Sequence, residues 1–122
     1  MILLDTSAVI WLERGDRRVR ALARRTRRLY VSPATLFELQ LLIETGRIGL
    51  RAASVATLAT DDRWLIDDPP ATAWFEAACD LTWTRDPFDR LLVAHAHIRG
   101  WQLATADRAL AARLPASGCV VL

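Results

Sequence analysis

Short apolar clusters and longer mixed stretches alternate along this chain, each closed by a polar residue, a glycine or a proline. Ile2-Leu3-Leu4-Asp5 predicts a first strand, followed by a short helix from Thr6 through Trp11-Leu12. A second helix is predicted over 16–27 and a second strand at Leu29-Tyr30-Val31. Ser32-Pro33 then offers an N-cap and a proline at the first helical position. That helix should reach about Thr45 and stop at Gly46. Residues 51–60 read as helix and Arg63 to Ile66 as a short strand. Asp67-Asp68-Pro69-Pro70 breaks the pattern before a helix at about 70–79. Asp86-Pro87 repeats the N-cap and proline signal and opens a helix to Arg99, stopped by Gly100. Trp101 to Ala104 is a strand, 107–114 a helix and Cys119 to Leu122 a last strand. This alternation predicts one α/β domain over 1–122, with a central parallel sheet of about four to five strands flanked by helices on both faces.

Composition narrows the class. Of 122 residues, 52% are hydrophobic and 25% charged, which is globular and not disordered. The longest stretches without a charge, such as Leu29 to Phe37, are far below the roughly 18 residues of a membrane span. Asp5 interrupts the apolar start, so no signal peptide is expected and the protein should be cytoplasmic. Cys79 and Cys119 lack metal-ligand spacing and are expected to be small buried residues. His95 and His97 lie two apart on a predicted helix and should point in different directions. With so few Cys and His, a zinc site is excluded.

All sixteen basic residues are arginine, eight of them between Arg14 and Arg28. The lack of lysine looks like a coding bias. The clustering has two readings: a helix that meets a phosphate backbone, or a solvated amphipathic helix buried through Val19, Leu22 and Ala23.

Four carboxylates, Asp5, Glu38, Asp89 and Asp107, each stand close to a predicted strand end or helix start. Turns at the carboxyl ends of parallel strands gather at one edge, where ligands bind. Singly, three of the four have local explanations: Asp5 and Asp107 as helix caps, and Asp89 at the positive end of a helix. Asp86 is also a cap. Glu38 is the strongest clue, because it is the only charge between Arg28 and Glu44, with Leu41 and Leu42 on its face of the helix. A carboxylate in such surroundings needs a proton, a partner or a cation. Acids crowded together favour a divalent ion, and all-oxygen ligation favours Mg²⁺ or Mn²⁺. Such ions activate water and stabilise phosphate charge in an in-line displacement. Ser7 has no nucleophile elbow and stands where a phospho-aspartate phosphatase would carry a second Asp. The five tryptophans read as core rather than base-stacking platforms, and Asp61-Asp62 and Asp67-Asp68 as turn and cap residues.

Several segments together resemble the PIN-domain ribonucleases, and within them the VapC-like toxins of type II toxin–antitoxin pairs. They are Leu3-Leu4-Asp5-Thr6-Ser7 with Trp11, Val31-Ser32, Leu36-Phe37-Glu38-Leu39, Gly46-Arg47-Ile48, Arg85 to Ala94, and Thr105-Ala106-Asp107. Asp86-Pro87-Phe88-Asp89-Arg90 is the most specific. The resemblance implies a PIN-like three-layer sandwich whose Asp5, Glu38, Asp89 and Asp107 hold one or two Mg²⁺ or Mn²⁺ ions. It places the hydroxyls of Thr6 and Thr105 close to that cluster and makes Asp86 an additional acid. Arg90 would steady the acids, meet a phosphate, or pair with Asp86 at i, i+4. The implied activity is RNA cleavage by a metal-activated water, with a cognate antitoxin as partner and a homodimer or toxin–antitoxin hetero-oligomer as assembly. Leu42, where relatives carry a basic residue, and Thr84, where many carry His, depart from the pattern. The rival expectations are a PIN nuclease of RNA maturation and an RNA-binding module without catalysis.

Overall fold

A computed structural model describes residues 1–23 and 27–122. Five strands form one parallel sheet: β1 (Ile2–Leu4), β2 (Leu29–Val31), β3 (Leu65–Ile66), β4 (Gln102–Thr105) and β5 (Cys119–Val121), in the spatial order β3-β2-β1-β4-β5. Among the described residues seven helices flank it: α1 (Thr6–Arg14), α2 (Arg20–Ala23), α3 (Pro33–Glu44), α4 (Val55–Ala59), α5 (Ala71–Cys79), α6 (Pro87–Arg99) and α7 (Arg108–Ala111). The α/β class, the parallel sheet and all five strands are as the sequence predicts.

β1 is central and buried on both faces, which is why its three residues are all apolar. Ile2 and Leu4 join a cluster with Val9 and Leu12 of α1, Leu39 of α3, Leu58 and Trp64. Leu3, pointing the other way, packs with Leu92, Val93 and Ala96 of α6 and with Leu103. From β1 the chain builds outward to β2 and β3, then crosses to lay down β4 and β5 on the other side. The strand order therefore reverses between β1 and β4, the position where open parallel sheets leave a crevice at their carboxyl ends.

Several boundaries move for local reasons. α1 runs past Leu12 to Arg14, where Gly15 takes φ 71° and its N–H returns to the last carbonyls. The helix predicted over 16–27 is broken: Arg17–Val19 is a 3₁₀ turn capped by Asp16, and α2 follows. Val19 and Leu22 are buried as expected but Ala23 is exposed. The part of that helix on Arg24, Arg25 and Thr26 lies outside the described residues. Only Val55–Ala59 of the 51–60 stretch is helical. The chain before it is held instead by the buried Glu13, whose carboxylate accepts from the N–H groups of Arg51 (2.8 Å) and Ala52 (3.1 Å). The last helix is likewise shorter than 107–114.

Both cysteines are free. Cys79 is exposed and Cys119 half-buried, so neither is the core residue expected of it. Trp64 and Trp74 are core residues, while Trp11, Trp83 and Trp101 are half-buried. Asp61 is a turn residue, accepting from the Arg63 N–H at 2.9 Å. Asp67 is more than a turn residue. It accepts from His95 Nε2 at 2.7 Å and from Arg99 Nε at 2.8 Å, tying α6 to the end of β3. His95 is fully buried and His97 exposed, opposite directions as their spacing requires. No helix among the described residues is long and apolar enough to cross a membrane.

Candidate metal centre

Each of the four acids reaches the sheet's carboxyl edge by its own route. Asp5 follows β1 directly and N-caps α1, accepting from Ala8 N–H at 2.7 Å while its own N–H donates to Ala104 at 3.0 Å. Asp107 follows β4 and N-caps α7, accepting from Ala109 (3.0 Å) and Leu110 (3.1 Å). These two straddle the β1/β4 switch point. Glu38 comes from the second turn of α3, which Ser32 and Pro33 start immediately after β2. Asp89 is the third residue of α6, a helix opened by Asp86.

All four line one pocket of about 170 Å³, together with Thr6, Ser7 and the apolar Ile10, Leu42, Leu92 and Leu110. The Thr6 hydroxyl donates to the Glu38 carboxylate, so the first turn of α1 and α3 are linked across the site. Thr105 is fully buried behind it, its hydroxyl accepting from the Asp107 N–H at 3.0 Å and lowering the Asp5 pKa. Asp86 does not line the pocket. It is occupied as the α6 cap, accepting from Phe88 (2.9 Å) and Asp89 (3.2 Å). Arg90 is directed elsewhere: its guanidinium donates to the carbonyls of Ala78 (3.0 Å), Cys79 (3.0 Å) and Thr84 (3.4 Å). It therefore neither steadies the acids nor pairs with Asp86, because the open carbonyls at the end of α5 take its donors.

Three of the acids are held above the usual carboxylate range. Burial raises Asp5, with Thr105 and the Ala8 N–H pulling it partly back and Asp107 adding to the rise. Burial also raises Glu38, against the Thr6 hydrogen bond and with help from Asp86 and Asp5. Asp89 is pushed up to about 6 by burial and then by the charges of Asp86, Asp107, Glu38 and Asp5. None of the four makes a salt bridge among the described residues.

An all-oxygen donor set with unbalanced negative charge fits a hard divalent cation. As the side chains stand, no three His, Cys, Asp or Glu residues among those described close around a single point, so binding would draw the carboxylates inward.

Ser7, Ile10, Leu42, Leu92 and Leu110 are pocket residues that the pattern of acids does not reveal. Their only sequence signal is helical spacing from an acid, as in Glu38 and Leu42. Ser7 has no histidine partner, since His95 lies in the core against Asp67. Among the described residues, the arginines of 14–28 do not line this pocket. α1 leads away from the acids, and Arg28 meets Ile2 at the opposite edge of the sheet, where its carbonyl accepts from the Ile2 N–H at 3.0 Å.

The repulsion has a measurable consequence. Between 3.8, the ordinary value for Asp89, and about 6 the folded chain keeps a proton that the unfolded chain has released. Ion-free stability should therefore fall as the pH rises through that window and then level off. Asp89→Asn removes this penalty. The favourable position of Asp89 at the start of α6 offsets part of the gain. After discounting for solvent screening, the variant should exceed the parent by about 1 kcal/mol at pH 7 and by nothing near pH 4. Urea melts in chelator at both pH values check this, and an equal gain at both would overturn it.

An α/β fold with an acidic pocket at its topological switch point defines the class. The chain belongs to the PIN domain family, whose model matches residues 2–114. PIN domains are generally nucleases and generally use divalent metals. No curated protein matches the chain. Nine solved chains do. One of them, a toxin–antitoxin complex from Klebsiella pneumoniae, is 20% identical with a TM-score of 0.72, the alignment covering 99% of this chain and 97% of that one.

Proposed function

We propose that this chain is a Mg²⁺- or Mn²⁺-dependent endoribonuclease and the toxin of a type II toxin–antitoxin pair. The observation that carries the reading is the convergence on one pocket of Asp5, Glu38, Asp89 and Asp107, none of them paired with an arginine among the described residues. These four would hold the ion or ions, which when bound supply Lewis acidity toward water and a phosphate oxygen. Asp5 and Asp107 are fixed in direction by their capping bonds, so two of the four need little reorganisation. Thr6 orients Glu38, and Thr105 supports Asp5 and the turn that carries Asp107. With no protein nucleophile positioned, the attacking group is water.

Membership in the PIN family supports nuclease activity, and the likeness to a toxin–antitoxin complex supports an antitoxin partner. A homodimer is part of the same proposal.

The test uses purified chain and labelled RNA. Cleavage is expected in Mg²⁺ or Mn²⁺, none in excess chelator, and recovery when the ion is returned. Cleavage persisting in chelator would falsify the mechanism. Expression alone should arrest bacterial growth, with relief by a co-expressed neighbouring gene product; unhindered growth from an active enzyme would point to RNA maturation instead.

A further inference from the structure

Val93, Ala96, His97 and Gly100 recur at i, i+3, i+4 and i+7 along α6 and its stop, and so share one face. None of them lines the acidic pocket. They line a separate cavity of about 480 Å³, walled by Ala77 of α5 and Leu81 just after it, and by Leu114 and Pro115 of the connection between α7 and β5. Alanine and glycine on the helical side leave this volume open, whereas protein interiors hold few voids larger than a water. The opposite wall is tied in place and does not collapse onto α6. The Gly118 N–H donates to the Pro115 carbonyl at 2.7 Å, and Gln102 Nε2 of β4 donates to the Ser117 carbonyl at 3.1 Å. Trp101, which also lines the cavity, is stacked on Tyr30 with ring centroids 4.3 Å apart. Sites that bury a small organic molecule span about 300–1,000 Å³, and this one falls among them.

The chemistry of the occupant follows from the lining. Most of it is apolar, so the body of the ligand is apolar too. The titratable side chains are Asp80, His97 and Arg113, all exposed at the rim, and none forms a salt bridge among the described residues. The Arg113 guanidinium lies 5.4 Å from the centre of the Trp83 ring. Such a contact engages the face of the guanidinium and leaves the N–H donors at its edge for another group. A carboxylate matches that fork with two parallel hydrogen bonds. Asp80 sets the limit on charge, because a second anionic group on the ligand would face its carboxylate.

We propose that this cavity is a binding site for a small apolar monocarboxylic acid, its carboxylate on Arg113 and its body against Val93, Ala96 and Trp101. The site is distinct from the acidic pocket, and nothing in it depends on the nuclease reading above.

The test titrates the nitrogen-15-labelled full chain with 2-naphthoate, naphthalene-2,6-dicarboxylate and 2-naphthylmethylamine, which put one negative, two negative and one positive charge on the same ring system. The monoacid should shift the amide signals of Gly100, Trp101 and Gly118, saturate at one molecule per chain, and bind more tightly than either of the others. Arg113→Gln should weaken it about tenfold, the loss of one charged hydrogen-bonded contact, and Arg113→Lys by less, since the charge stays and the fork goes. Asp80→Asn should narrow the gap between the diacid and the monoacid. Ala77→Phe, filling the cavity from the half-buried side of α5, should abolish the shifts; should it fail to fold, the exposed Arg113→Gln still decides. Equal affinity in Arg113→Gln, tighter binding of the amine, or shifts confined to other parts of the chain overturn the proposal. So do cavity signals that move with protein concentration alone, which would show a second copy covering the site.

Discussion

Asp5→Asn should reduce RNA cleavage at least about 100-fold while the protein remains folded, since even partners one shell beyond a metal ligand cost about 10–100-fold. Asparagine is the informative replacement because Asp5 has two roles that it separates. Its carboxylate caps α1 through the Ala8 N–H, and an amide oxygen can accept that bond equally well. What asparagine cannot supply is the charge. Asp5 is buried and its carboxyl is raised, first by that burial, so in the ion-free protein the substitution removes an unfavourable charge. The variant should therefore melt at or above the parent temperature in chelator and gain less from added Mg²⁺. Circular dichroism melts with and without the ion, run beside the cleavage assay, check both halves. Full activity would remove Asp5 from the site. Loss of activity with a collapse in stability would assign it a structural role only.

Much of this site was legible because each acid sits beside a strong local signal. Ser32-Pro33 and Asp86-Pro87 start α3 and α6 within a residue of where they begin, which fixes Glu38 in the second turn and Asp89 in the first. The all-apolar β1 could only be a central buried strand, which places Asp5 at its exit. What the chain pattern could not deliver depends on contacts between distant segments. Arg90 has the right spacing to reach Asp86, yet the end of α5 offers it two carbonyls and the loop after it a third, and nothing local to Arg90 announces that helix end. The charged 16–27 segment has helical spacing, but Asp16 caps a 3₁₀ turn and holds Arg18, whose guanidinium lies 3.9 Å from the Trp11 ring centre. Residues 51–54 read as helix until Glu13, some forty positions earlier, takes two of their N–H groups. Phe37 is an apolar residue on a helix, and only the meeting of α3 with α6 shows that it stays exposed.

Asp67→Ala should destabilise the fold by about 2–3 kcal/mol at pH 7 without changing the activity of the molecules that remain folded. Asp67 follows β3, and its backbone N–H extends the pairing with β2 through the Val31 carbonyl at 3.1 Å. Its carboxylate accepts from His95 Nε2 and, with both oxygens, from Arg99 (2.8 and 3.2 Å). Burial alone would raise its pKa, but the Arg99 and His95 hydrogen bonds outweigh this and leave it lowered. His95 is fully buried, and burial holds it below its ordinary value despite Asp67. Its Nδ1 already lacks a partner among the described residues, so removing Asp67 would leave both ring nitrogens unsatisfied in the core. Stranding a buried donor and a half-buried guanidinium together sets the size of the loss. The equivalent change at the exposed Asp16–Arg18 pair should cost far less, because solvent screens it, which makes Asp16→Ala the control. Both lowered pKa values give the same sign. As far as these two groups go, the fold is most stable above the unfolded histidine value, near 6.5, and loses stability as the pH falls, first because His95 is buried neutral and then as Asp67 protonates and its pairing is lost. That is opposite in direction to the acidic pocket, so Asp89→Asn is the background in which to measure it. Urea melts of Asp67→Ala and Asp16→Ala in that background decide the matter: equal losses from the two would mean that the His95–Asp67–Arg99 network contributes no more than a surface ion pair.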